Sequence, residues 1–101
     1  MEVVMIIVHA HIEVKSGNEA AFASAAKKCV EETRKENGNI AYSLHASVIN
    51  GAKFIIVEKW ESRENLIAHT KTDHYIEYKK ATADLLEKPT IVEVFNAEEY
   101  K

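Results

Sequence analysis

Residues 40–60 read IAYSLHASVINGAKFIIVEKW, two β-rich runs joined by Asn50-Gly51. In the first run Ile40, Tyr42, Leu44, Ala46 and Val48 share one parity, and Ser43, His45 and Ser47 share the other. That alternation marks a strand with one buried face. An Asn-Gly pair between two such runs is the strongest short-range hairpin signal. Residues 52–60 are therefore expected to return antiparallel, with Phe54, Ile56, Glu58 and Trp60 on one face.

Working outward, residues 3–14 alternate in the same way, Val4, Ile6, Val8, Ala10, Ile12 and Val14 opposing Met5, Ile7, His9, His11 and Glu13. Lys15-Ser16-Gly17-Asn18 breaks this strand, and Ser16 with Glu19 reads as a capping box opening a helix. Phe22, Ala25, Ala26, Cys29, Val30 and Thr33 then recur at helical spacing as one apolar stripe. Asn37-Gly38 is expected to stop that helix as a left-handed cap. Beyond the hairpin, Ser62 caps a short helix through His69, and Thr72 or Asp73 restarts a longer one. Pro89 closes it, and residues 90–96 form a last strand. The order β-α-β-β-α-β belongs to the α+β class: a ferredoxin-like fold whose four-stranded antiparallel sheet carries the helices on one face. The other face, with Ile7, Ile55 and Val57, needs a cover, and homodimerisation supplies one.

Composition narrows the function. The 101 residues make one domain, 1–101, with 47% hydrophobic and 29% charged residues. Thirteen Lys plus Arg against sixteen Asp plus Glu leave a net charge of −3, so no footprint for nucleic acid exists. The longest apolar run, Val3 to Val8, is far short of a membrane span, and Met1-Glu2 lacks the basic start of a secretory leader. Neither nucleic acid nor membrane is an expected partner. A single cysteine, Cys29, fits a reducing, cytoplasmic setting and inert burial within its stripe.

His9-Ala10-His11-Ile12-Glu13 sets two imidazoles and a carboxylate on one strand face, a spacing some metal sites use. Further ligands must come into register, and His45 is the obvious candidate. Hydrogen bonding at a dimer interface is the simpler use, so no metal is expected. The three glycines are isolated, with no G-x-G-x-x-G nucleotide fingerprint.

Glu58-Lys59-Trp60-Glu61-Ser62, followed by Leu66-Ile67-Ala68-His69 and Asp73-His74-Tyr75, strongly resembles the antibiotic biosynthesis monooxygenase family. The likeness extends to Val14-Lys15-Ser16-Gly17, Gly38-Asn39-Ile40-Ala41-Tyr42 and Pro89, nearly the whole chain. It implies a dimeric α/β-barrel of ferredoxin-like subunits and a cofactor-independent monooxygenase acting with molecular oxygen on a quinol or other electron-rich phenolic small molecule. Under that resemblance His69 is cast as the proton acceptor, His74 as a second donor or orienter, and Trp60 as a stacking wall. Tyr42, Leu44, Ile56, Glu58, Tyr75 and Tyr78 would complete the substrate pocket. Ala10, His69 and Lys79 stand where the haem-degrading branch has Asn, Trp and its iron-ligating His, so haem is disfavoured. Ile56 stands where phenol-oxidising polyketide members carry Asn, which favours a quinol or small metabolite. Two other functions fit the same residues: an acid-base isomerase of a phosphorylated quorum-signal sugar, needing inward cations such as Lys71 or Lys79, and a dimeric binding module without turnover. Read without the resemblance, Trp60, Tyr75 and Tyr78 are equally core residues, and His69 and His74 are helix-end histidines.

Overall fold

The computed structural model describes residues 4–100. Strand β1 runs Val4–Glu13, helix α1 Glu19–Thr33, β2 Asn39–Ala46, β3 Lys53–Trp60, α2 Arg63–His69, α3 Asp73–Thr82 and β4 Ile91–Glu98, with a 3-10 turn at Ala83–Leu85. The sheet order is β2-β3-β1-β4, and every pairing is antiparallel. This is the ferredoxin-like α+β arrangement expected from the pattern. Val3, expected to begin the first strand, lies outside the described residues.

The helices cover one sheet face, and the alternation decides what they bury. Ile6, Val8, Ala10 and Ile12 of β1, Ile56 of β3 and Tyr42 of β2 join Phe22, Ala26, Cys29 and Val30 of α1 in one core. Trp60 and Phe22 are 0% exposed within it. On the opposite face Ile7, Ile55 and Val57 are only half-buried, and no element among the described residues covers them. The edge strand β4 adds Ile91 at 54% and Phe95 at 43% exposure.

Several local expectations are corrected. The capping box does not form: Asn18 is the N-cap without a side-chain bond, and Glu19 Oε1 instead accepts from the Gly17 N–H at 2.7 Å. Helix α1 ends at Thr33, and a turn carries the chain to Gly38, whose φ is +78°. A β-carbon at Gly38 would overlap the Asn65 side chain of α2, so glycine is required there for both backbone angle and space. The hairpin is longer than the two-residue form. Strand β2 ends at Ala46, Ser47 N–H donates to the Lys53 carbonyl at 2.9 Å, and Gly51 does not use positive φ. Val48 leaves the strand face and is 100% exposed. A register irregularity between Asn39 and Ala41 takes Ile40 out of the alternation, and it lies beside Met5 and Ile7. Ser62 and Thr72 do cap α2 and α3, accepting from the Asn65 and Tyr75 amides.

Candidate active site

Antiparallel register gathers the site. Glu58 of β3 stands opposite Val8 of β1 and Tyr42 of β2, so its carboxyl group emerges beneath the helices with apolar or aromatic neighbours. A cavity of about 200 Å³ opens there, lined by Tyr42, Ile56, Glu58, His69, Tyr75 and Tyr78, with Val8, Ala10, Leu66, Thr70, Lys79, Thr90, Val92 and Val94 completing the wall. Its apolar wall with a few convergent polar groups is the usual character of a small-molecule site.

His69 closes α2 and is 1% exposed. Its ring lies 4.9 Å from Trp60, 4.8 Å from Tyr75 and 5.4 Å from Tyr42, centroid to centroid. The orientation of that ring comes from Glu36, a residue the sequence reading did not single out. Glu36 Oε2 lies 2.7 Å from His69 Nδ1 and 2.7 Å from His74 Nε2. A carboxylate only accepts, so the two facing ring nitrogens are the ones that carry hydrogen. In the neutral His69 ring the lone pair is therefore on Nε2, which is buried and has no hydrogen-bond partner among the described residues. Buried acceptors are seldom left unpaired. An unpaired nitrogen on a cavity-lining imidazole is a ready proton acceptor.

Burial sets the titration of these groups. It pushes the His69 imidazole down from 6.5, against the opposing pull of Glu36, which keeps the ring neutral at neutral pH. Burial pushes Glu58 up from 4.5 to about 7, although the Trp60 Nε1–H bond to Glu58 Oε1 at 3.0 Å works against the rise. Burial likewise raises the Tyr42, Tyr75 and Tyr78 phenols. The Cys29 thiol, also raised by burial, stays in the core with no part in the cavity.

Three residues expected around the pocket stand elsewhere. Trp60 does not reach the cavity because the His69 ring covers it; it underlies the site and holds Glu58. Leu44 packs against the core, one residue pair along β2 from Tyr42. His74 lies on the seam between α1 and α3 with Ala25, Cys29 and Glu77, so it holds Glu36 rather than facing a ligand. Of the two cations considered, Lys79 lines the cavity and Lys71 does not. Glu36 gave no periodic signal because it lies in the turn after α1. The only cue was a carboxylate ahead of the Gly38 stop.

Fold and site together define a ferredoxin-like α+β domain with a carboxylate-oriented histidine in an apolar cavity. The chain belongs to the antibiotic biosynthesis monooxygenase family, whose sequence model matches residues 5–81. It is 32% identical over 85 residues to the Bacillus subtilis protein named "Putative monooxygenase YcnE", covering 84% of this chain and 90% of that one. A solved Bacteroides thetaiotaomicron protein of unknown function is 32% identical, with a TM-score of 0.86, covering 94% of this chain and 99% of that one. A Nitrosomonas europaea protein named "Putative antibiotic biosynthesis monooxygenase", 24% identical, shares the fold with a TM-score of 0.90 over 92% of this chain and 89% of that one.

Proposed function

We propose that the protein is a cofactor-independent monooxygenase of quinols or related electron-rich phenols. The observation that carries this is the unpaired Nε2 of His69 on an apolar, aromatic-lined cavity, with Nδ1 held by Glu36. Triplet oxygen reacts poorly with closed-shell molecules, so the substrate must be made electron-rich. His69 Nε2 takes the phenolic proton, as a general base must from a neutral ring. The resulting phenolate or carbanion gives an electron to oxygen, and the pair recombines as a peroxide at carbon. Protonated Glu58 donates to the distal peroxide oxygen. The O–O bond then breaks as the remaining C–H proton leaves: one oxygen atom stays as a carbonyl and the other departs as water. All four electrons come from the substrate. The apolar wall keeps water from the charged intermediate.

A cavity of about 200 Å³ lies below the common range for drug-sized ligands and favours one or two rings. The outer sheet face, with Ile7, Ile55, Val57 and the exposed Phe95 and Ile91, supports a homodimer in which a second copy covers it.

Lys79 on the cavity wall supports a second function, acid-base isomerisation of a phosphorylated small metabolite, in which that ammonium group anchors the phosphate. Oxygen uptake separates the two. In an atmosphere of ¹⁸O₂, a panel of one- and two-ring reduced quinols should yield a product carrying one labelled oxygen atom. Turnover of a phosphorylated sugar without oxygen uptake would reject the monooxygenase.

A further inference from the structure

The face of the sheet away from the helices holds a second cluster of ligating side chains. His9 and His11 lie two positions apart on β1, and β4 sets Glu93 opposite His9. One ligand atom from each lies within 4.8 Å of the others, and His11 Nε2 is 2.6 Å from Glu93 Oε1. We infer that His9, His11 and Glu93 bind a divalent transition-metal ion, with zinc as the ion that suits them best, at a site separate from the His69 cavity.

The donor set selects the ion. Two imidazoles with one carboxylate suit zinc, whereas calcium and magnesium prefer oxygen ligands alone. Zinc bonds of about 2.0 to 2.2 Å imply ligand atoms about 3.3 Å apart in a tetrahedral site. The three atoms lie within 4.8 Å of one another, and rotation of the side chains brings them to that spacing. The backbone need not move, because β1 is hydrogen-bonded on both sides by β3 and β4. As the ion takes His11 Nε2 in place of the hydrogen bond to Glu93, the neutral ring carries its hydrogen on Nδ1. The fourth position points off the sheet, toward the second copy proposed to cover this face, where a water or a side chain of that copy would fill it.

The ligand that completes the set differs from the candidates on the strands nearest in sequence. Glu13 instead approaches Lys88 at 3.8 Å. His45 is separated from His11 by β3, since both stand opposite Ile55, and it contacts Ser43 at 2.8 Å. Glu93 is 82 residues from His11 in sequence and meets it only through the β1–β4 pairing. Glu36, His69 and His74 form the other such cluster, but there both facing nitrogens are held in hydrogen bonds within the site already described.

Metal-free protein titrated with zinc against a chromophoric chelator should bind one ion per chain. His9→Ala and Glu93→Gln should each weaken binding at least about tenfold, while His69→Ala should leave it unchanged. Cobalt(II) in place of zinc should give the intense visible absorption of a tetrahedral ion, lost in Glu93→Gln. Thermal melts of the variants establish that they remain folded. Absence of binding, or binding that survives both outer-face substitutions and disappears with His69→Ala, would overturn the assignment.

Discussion

Glu36 and His69, 33 positions apart in the chain, meet at 2.7 Å, and that contact decides which nitrogen of a buried imidazole faces the cavity. The turn after α1 presents the carboxylate, its own amide donating to the Thr33 carbonyl at 3.0 Å. Helix α2 ends at His69, whose carbonyl accepts from Thr72 Oγ1 at 2.8 Å. Two chain reversals thus fix the donor and acceptor ends of one hydrogen bond.

Glu36→Gln should lower kcat about 100-fold or more with little change in KM, as expected of a group that orients a catalytic imidazole. Glu36 also supports the protonated ring, so its loss should move the acid limb of the pH profile to lower pH. A purely structural defect would leave that limb in place.

Glu58 makes stability depend on pH in a defined direction. The folded state holds its proton more tightly than the unfolded chain, so this contribution is fully present below pH 4.5 and is lost as pH rises through about 7. A rise of that size corresponds to about 3 kcal/mol. In urea unfolding, Glu58→Gln should therefore gain about 2 to 3 kcal/mol on the parent between pH 5 and pH 8. The same variant should lose the alkaline limb of kcat/KM, because its side chain no longer ionises. Trp60→Phe, which removes a bond that lowers the Glu58 pKa, should move that limb to higher pH.

Gly38→Ala should destabilise the fold more than Gly17→Ala. Both glycines have positive φ, but a β-carbon meets Asn65 at Gly38 and nothing within 4 Å at Gly17. A cost of about 1 to 2 kcal/mol is expected at Gly17 from conformation alone, with at least a further 1 kcal/mol or so at Gly38 from the overlap. Equal melting temperatures for the two variants would contradict the close approach.

Light scattering should give the mass of a dimer at micromolar concentration, and Phe95→Glu should shift it toward monomer by placing a charge on the open apolar face. A monomer independent of concentration would remove the proposed cover for that face.

The element order was legible because alternation and helical stripes report burial directly. Phe54, Ile56, Glu58 and Trp60 fell on the helix-facing side as their parity required. Local chemistry was less legible: Ser16-Glu19 matched a capping pattern, yet Glu19 bonded to Gly17 instead. The site was legible only in its motif residues. Glu36 and the β4 valines reach it by turns and strand pairing across long sequence separations, for which a single sequence carries no periodic signal.

The central claim is that Nε2 of His69 accepts the substrate proton, and the most direct measurement is oxygen uptake by the parent and His69→Gln on a reduced quinol. An enzyme-free blank at each pH removes autoxidation. The parent should show uptake rising with pH below 6.5, where the depressed His69 titration lies. His69→Gln should lose that rise and about 100-fold to 10,000-fold in kcat while keeping its affinity for the quinol. A His69→Gln protein that retains the parental rate and pH profile would contradict the claim.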